Sequence, residues 1–171
     1  MIAKRPRSER VTLEAKDCDS RLLVVMHGLN NPVNVGAILR SAEAAGATGV
    51  ITTSNTADPF SPKALRGAMG SAFRLPIWNG PIYAEALTWC AEHNIQTVCA
   101  DLNATTAYTD IDWKTPRALI VGPESTGLNP EEVGMASEAI RIPMRGAVES
   151  LNVAAAAAIV LYEAARQRGS V

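Results

Sequence analysis

Five polar residues in or beside three Gly- and Pro-rich loops have side chains that could do chemistry. Asn34 lies in the first loop and Arg40 shortly after it, Glu124 lies in the second, and Ser150 and Asn152 lie in the third. Each also has a structural interpretation. The Asn and Ser residues could cap helices, the arginine could lie on a solvated helix face, and the glutamate could stand in a turn. Taken one at a time, these residues favour the structural interpretations.

The sequence lacks the motifs of several common enzyme classes. The loop Gly28 to Gly36 does not have the G-x-G-x-x-G spacing of a dinucleotide-binding turn. The stretch Gly122 to Gly127 has the outer spacing of a phosphate loop, but Leu128 and Asn129 stand where Lys and Ser/Thr are needed. No G-x-S-x-G nucleophile elbow occurs. A nucleoside triphosphatase, a nicotinamide dehydrogenase and a serine hydrolase are therefore not supported.

Metal binding has weak support from the sequence. Cys90 and His93 lie three positions apart on a predicted helix, and Cys99 follows nearby, so the three could meet a zinc ion. The chain has no CxxC pair, and a partly buried helix and strand explain these residues more simply. We expect no metal.

Composition narrows the class of protein further. The 171 residues are 47% hydrophobic, which suits one globular domain, and the net charge of −1 means that an RNA or DNA partner must be held by a local patch. The longest apolar run, residues 153–162, is shorter than the roughly 20 residues that cross a bilayer. Few cysteines and no signal-peptide pattern predict a cytoplasmic protein that does not contact a membrane.

Strand-like and helix-like patterns alternate from Leu22 onward. Residues 1–21 are basic and poor in large apolar side chains, which predicts a flexible arm that could touch RNA or could simply be a disordered terminus. The alternation predicts a mostly parallel sheet with helices on both faces, and ligands of such sheets bind beyond the carboxyl ends of the strands. Strands are predicted at 22–27, 50–53, 74–78, 95–100, 117–121 and 140–143, and helices at 34–46, 62–69, 83–93 and 149–168.

Three segments together resemble the signature motifs of the SpoU family, also called the TrmH family, of RNA methyltransferases in the SPOUT superfamily. They occur in the family's order, and the stretch Arg66 to Pro76 is similar to the family's middle region. The likeness covers residues 22–168, and we assign 22–171 to a SpoU-type domain. The segments are Asn31-Pro32-Val33-Asn34-Val35-Gly36-Ala37-Ile38-Leu39-Arg40, Val121-Gly122-Pro123-Glu124-Ser125-Thr126-Gly127-Leu128 and Ile142-Pro143-Met144-Arg145-Gly146-Ala147-Val148-Glu149-Ser150-Leu151-Asn152-Val153.

The resemblance implies a fold, a reaction and a set of site residues. The fold would be a parallel α/β domain whose C-terminal part forms a deep trefoil knot, and two chains would pack as a homodimer. The reaction would move a methyl group from S-adenosylmethionine (AdoMet) to a ribose 2′-hydroxyl of tRNA or rRNA, leaving S-adenosylhomocysteine. The catalytic or orienting positions would be Arg40, Asn34, Glu124, Ser150 and Asn152, and the cofactor would lie among Ala100, Leu102, Gly122, Ile142, Met144 and Leu151.

Physical chemistry constrains the role that the resemblance gives to Arg40. A guanidinium stays protonated in proteins, so it is a poor general base. We expect Arg40 to hold the ribose and its phosphate and to favour loss of the hydroxyl proton through its positive charge. Asn34 would hydrogen-bond the ribose or fix Arg40, and Glu124 would orient Arg40 through a bidentate pair.

The sequence also predicts which parts of the chain would bind RNA, and it leaves two other functions open. Many relatives carry a separate N-terminal RNA-binding domain, whereas only the short arm precedes Leu22 here, so we expect RNA to be held by the arm, by four arginines and by the partner chain. The alternatives are a noncatalytic RNA-binding or assembly module with this fold, and a small-molecule enzyme on an ordinary doubly wound sheet. The four arginines are Arg66, Arg74, Arg141 and Arg145.

Overall fold

Seven strands, all paired in parallel, form one sheet in the computed structural model, which describes Leu13 and residues 21–169. The sheet order is β3-β2-β1-β6-β4-β7-β5. The strands are β1 (Leu22–Met26), β2 (Gly49–Thr52), β3 (Ile77–Asn79), β4 (Gln96–Ala100), β5 (Thr106–Ala107), β6 (Arg117–Val121) and β7 (Glu138–Arg141). The helices are α1 (Pro32–Ala44), α2 (Pro62–Ala68), α3 (Ser71–Arg74), α4 (Tyr83–Glu92), α5 (Pro130–Met135) and α6 (Val153–Gln167). The predicted parallel α/β architecture is confirmed.

The sheet carries an apolar core on each face. Side chains alternate between the faces of a strand, so Leu22 and Val24 of β1 join one core while Leu23 and Val25 join the other. The first core contains residues of α1, α2 and α6, and the second contains residues of α4. Because both faces are covered, the central strands β1 and β6 are buried along their whole length.

The crossing of α1 and α2 depends on two glycines. A Cβ atom at Gly36 would clash with the carbonyl oxygen of Ala64, and one at Gly67 would come within 3.3 Å of the carbonyl oxygen of Val33. Close approach of the two backbones therefore requires glycine at position 36 and leaves little room for a side chain at position 67. This contact fixes the stretch after α2 against α1.

Helix α6 returns from the edge of the sheet to its centre. It packs on α1 and β6, although β7, the strand before it, is separated from β6 by β4. At its end, Arg168 donates hydrogen bonds from Nε to the carbonyl oxygen of Trp113 (2.6 Å) and from Nη2 to that of Arg21 (3.1 Å). Both ends of α6 are therefore anchored to distant parts of the chain.

Several predicted boundaries differ from the structure. Helix α1 begins at Pro32 with Asn31 as its N-cap, so Asn34 lies inside the first turn and is not the cap. Helix α6 begins at Val153 and not at residue 149. The strand predicted at 74–78 starts only at Ile77, because Arg74 ends the short helix α3.

The predicted arm is only partly covered by the structure. Leu13 is buried against Gly49 and Leu23, and Arg21 is 2% exposed. The basic residues Lys4, Arg5, Arg7 and Arg10 lie outside the described residues. Helices in the described ranges are all too short or too polar to traverse a bilayer.

Candidate active site

Four neighbouring strands end at the candidate site. In the order β1, β6, β4 and β7, each is followed by a loop that carries predicted site residues or leads directly into them. Carboxyl ends of parallel strands meet at one edge of the sheet, where ligands of such folds bind. The loops are 27–31 after β1, 122–129 after β6, 101–105 after β4 and 142–152 after β7.

A chain of hydrogen bonds joins three of these strand ends. Asn34 donates from Nδ2 to Oε1 of Glu124 (3.2 Å), and its Oδ1 accepts from Nδ2 of Asn152 (3.3 Å). Asn34 is 9% exposed and lies between the other two side chains. Asn152 is also the N-cap of α6, accepting from the amide of Ala154 (2.9 Å). Residues separated by 90 and 118 positions thus form one polar cluster.

The Glu124 carboxylate sits in a cradle of N–H donors. It accepts from the backbone amides of Asn30 and Asn31, each at 3.2 Å, in addition to Asn34. Burial alone raises the pKa of Glu124, but the hydrogen bonds outweigh this effect and leave the pKa below its ordinary value. The carboxylate is therefore held charged against the start of α1.

Glu124 does not orient Arg40 as predicted. Its oxygens are engaged by residues 30, 31 and 34. Arg40 is exposed and makes no side-chain hydrogen bond or ion pair with any described residue. Its guanidinium is open to a ligand that carries negative charge.

The loop after β6 has a second anchor that the sequence did not reveal. His27, at the end of β1, places Nε2 3.0 Å from Oε1 of Glu132 in α5 and Nδ1 3.1 Å from Oγ1 of Thr53. Tyr83 stacks on the His27 ring at 4.3 Å between centroids and donates to the carbonyl oxygen of Glu132 (3.1 Å). Burial raises the pKa of Tyr83, so its hydroxyl stays a donor. The 122–129 loop is thus fixed on one side through Glu124 and on the other through α5.

The predicted cofactor residues fall on the adjoining strand ends. The amide of Asp101 donates to the carbonyl oxygen of Ile140 (2.9 Å), which brings the loops after β4 and β7 together. Ala100, Ile142, Met144 and Leu151 are half-buried, whereas Leu102 is 58% exposed. These side chains therefore leave apolar surface exposed outside the core.

Gly122 and Ser150 differ in how much their surroundings constrain them. A Cβ atom at Gly122 would lie 2.8 Å from Cδ2 of Leu128, because the loop folds that leucine back over the strand end. Ser150 is exposed and its hydroxyl has no hydrogen-bond partner among residues 21–169. It lies before α6 and not within it.

The zinc alternative has no geometric support. Cys90 and Cys99 are buried, and burial raises their pKa values to about 12 and about 11. His93 places Nδ1 2.8 Å from the carbonyl oxygen of Trp89. In the described part of the chain, no three His, Cys, Asp or Glu side chains converge as metal ligands would.

Comparison with known proteins identifies the family of the chain. The general class is an α/β protein whose parallel sheet has a polar cluster at the carboxyl ends of its strands. A family model described as the SpoU rRNA Methylase family matches residues 21–162. The chain belongs to this family.

Named relatives indicate what such proteins do. The chain is 38% identical over 143 residues to the 23S rRNA (uridine(2479)-2′-O)-methyltransferase of Streptomyces viridochromogenes, covering 81% of this chain and 50% of that protein. The structure of the SpoU methyltransferase AviRb from the same organism, in complex with the cofactor AdoMet, aligns with a TM-score of 0.89 at 33% identity, covering 97% of this chain and 67% of that one.

A second AdoMet-bound structure is also similar. The rRNA methyltransferase of Sinorhizobium meliloti aligns with a TM-score of 0.86 at 35% identity, covering 94% of this chain and 61% of that one. The chain spans about half the length of the curated relatives it matches.

Proposed function

We propose that the protein transfers a methyl group from AdoMet to a ribose 2′-hydroxyl of RNA, leaving S-adenosylhomocysteine. The observation that carries this proposal is the hydrogen-bonded cluster of Asn34, Glu124 and Asn152, which joins the three motif-bearing segments at the ligand-binding edge of the sheet. The relative named by its substrate methylates 23S rRNA, and the proposed substrate is rRNA or tRNA. The proposed location of this activity is the cytoplasm.

The strand ends of β6, β4 and β7 suit the cofactor. Half-buried Ile142, Met144 and Leu151 would contact its apolar parts, and backbone groups near Ala100, Leu102 and Gly122 would bind its adenine edge. When bound, AdoMet supplies an activated methyl group on a sulfonium ion. No metal is needed for this transfer.

The remaining polar residues position the RNA. Arg40 would bind the phosphate next to the target ribose and lower the pKa of the 2′-hydroxyl through its charge, and the hydroxyl proton would leave to water or the phosphate. Asn34 and Glu124 would hold the start of α1, and therefore Arg40, relative to the loop 142–152. Ser150, free of protein partners in the described ranges, would contact cofactor or ribose.

The trefoil knot and the homodimer are part of the proposal. Support for the knot is the return of α6 from β7 past β4 to contacts with β6 and α1. Support for the dimer is the outward stripe of α6, where Ala155 and Tyr162 are exposed and Ile159 is half-exposed. Residues spaced by three and four positions on a helix form one face that a second copy could cover.

Arg40→Ala is the decisive test of the reaction. We expect transfer of labelled methyl groups from AdoMet to bulk rRNA and tRNA to fall below detection, while AdoMet binding by calorimetry stays within about twofold. Lys114→Ala is the control, since Lys114 is exposed and precedes β6 at the opposite edge of the sheet. Equal loss of binding and transfer in Arg40→Ala would mean a structural role. RNA binding by the wild-type protein without any methyl transfer would favour the noncatalytic module.

A further inference from the structure

The turn between α2 and α3, together with α3 itself, presents two large apolar side chains to solvent. Met69 is 66% exposed and Phe73 is 52% exposed. Met69 adopts φ 49° and ψ 39°, a left-handed conformation that residues with a side chain seldom occupy. Such a conformation persists only where the surroundings enforce it, and it is often found at functional positions. We call residues 69–73 the platform.

The platform is held rigidly on α1. Glu43 accepts hydrogen bonds from Oγ of Ser71 (2.6 Å) and from Nη2 of Arg74 (2.8 Å), and Arg74 also donates to the carbonyl oxygen of Met69 (3.4 Å). The hydrogen bonds from Arg74 and Ser71 lower the pKa of Glu43 to about 2, so this anchor stays charged. A surface fixed in advance loses little conformational freedom when it binds a partner.

Arg40 stands beside the platform. Gly36 and Glu43 lie on one face of α1, with Gly36 against Ala68 of α2 and Glu43 against Ser71 of α3. Position 40 is four residues after 36 and three before 43, so it shares that face and lies level with the turn. The proposed RNA-orienting arginine and the exposed apolar side chains therefore belong to one surface.

The charge around the platform is positive. Arg40, Arg66 and Lys63 are exposed, and none of them pairs with a carboxylate in the described part of the chain. Glu43 is already engaged by Arg74. Apolar side chains that can contact bases, beside cations that can contact phosphates, are complementary to single-stranded nucleic acid.

We propose that the platform stacks an unpaired base of the RNA next to the nucleotide whose ribose Arg40 orients. This inference rests on the proposed function and narrows its substrate to RNA whose target lies in a loop or single strand. The Phe73 ring packs on Phe60 with 6.4 Å between centroids and 55° between planes, which leaves its outer side for a base. Sequence-specific proteins commonly recognise RNA through unpaired bases stacked on aromatic rings.

Phe73→Leu tests the platform, because it keeps an apolar side chain of similar size but removes the aromatic ring. We measure binding to an RNA hairpin with a 2-aminopurine in its loop and to a perfect duplex of the same length. We expect the hairpin Kd to rise about tenfold or more and the duplex Kd to stay within about twofold. The 2-aminopurine quenching expected with wild type should be lost in Phe73→Leu and retained in Phe73→Trp.

The control is Ile82→Ala, since Ile82 is a comparably exposed apolar side chain beside α4 on the other face of the sheet. It should leave both Kd values unchanged. Equal hairpin affinity in Phe73→Leu and wild type would overturn the platform. So would a loss of affinity accompanied by a change from dimer to monomer in sedimentation, since the patch would then be a contact between copies. Absence of AdoMet binding and methyl transfer in wild type, with the hairpin result intact, would instead count against the proposed function alone.

Discussion

The loop after β6 and the loop after β7 carry two of the three motifs, yet they are built differently. In the first, residues 122–129, Glu124 accepts three hydrogen bonds from the β1 side, and the following helix is tied to His27. Both loops are largely exposed, but in the second, residues 142–152, no side chain from 143 to 150 makes a hydrogen bond to a described residue, and Asn152 is the link to the cluster. One loop is fixed by the protein itself, and the other is open.

This difference divides the site into a scaffold and a binding surface. The β6 loop uses its carboxylate to hold the start of α1, so its contribution to the proposed reaction would be the position of Asn34 and Arg40. The β7 loop keeps Met144 and Ser150 available for groups that the protein does not supply. Substitutions in the first loop should therefore change stability and activity together, and those in the second, apart from the helix cap Asn152, should change activity alone.

Glu124→Ala should have the largest effect on folding. It leaves the amides of Asn30 and Asn31 and the side chain of Asn34 without their charged acceptor. Because Asn30 and Asn31 are exposed, water replaces part of this hydrogen bonding, and we expect the free energy of unfolding to fall by about 1.5 kcal/mol. Methyl transfer should fall as well. Urea denaturation and the transfer assay measure the two effects.

Ser150→Ala is the matched substitution in the open loop. It should change the free energy of unfolding by less than about 0.5 kcal/mol and still reduce methyl transfer, because its hydroxyl contacts no described residue. A stability loss as large as that of Glu124→Ala would erase the distinction between the two loops.

Asn152, at the end of the 142–152 loop, has two roles that substitutions can separate. It caps α6, and it donates a hydrogen bond to Asn34. Asn152→Ala should cost about 1 kcal/mol of stability, because α6 loses its N-cap. Asn152→Ser keeps a capping oxygen but removes the Nδ2 donor to Asn34, so most of the stability should return while methyl transfer stays reduced. If Asn152→Ser restores methyl transfer as well as thermal stability, the hydrogen bond to Asn34 has no role of its own.

Acidification should destabilise the 122–129 loop, but by less than Glu124→Ala does. The folded-state pKa of Glu124 lies below its ordinary 4.5, so the stability it contributes is complete above pH 4.5 and is lost as the pH falls through the folded-state pKa. The difference in unfolding free energy between wild type and Glu124→Gln should be constant from pH 7 to pH 5 and shrink below pH 4.5. A difference that grows on acidification would reverse the assigned sign.

Regular apolar patterns make most of the fold predictable. The run Leu22 to Met26 and the strand Arg117–Val121 are identifiable because central parallel strands are apolar on both faces. The short helices α3 and α5 escape prediction because they contain too few turns for a periodic pattern. Helix α5 nevertheless has a local signal, since Asn129 caps it, Pro130 opens it and Glu132 completes a capping box.

The site is predictable in its members but not in its contacts. Motif resemblance names Asn34, Glu124 and Asn152, and the structure brings them together. The predicted partner of Glu124 is wrong, because the amides of Asn30 and Asn31 are backbone groups that every sequence has and give no signal of their own. The pair of His27 and Glu132 joins positions 105 apart, and only the sheet order reveals it.

The hydrogen bonds at the two ends of α6 affect how the chain folds during translation. Arg168 reaches the carbonyl oxygen of Arg21 across 147 positions, and Asn152 reaches Asn34 across 118. A high contact order of this kind slows folding, since long loops must close before the contacts form. Until the ribosome has delivered the last helix, the apolar side of α1 lacks its cover, and chaperones or other nascent chains have access to it.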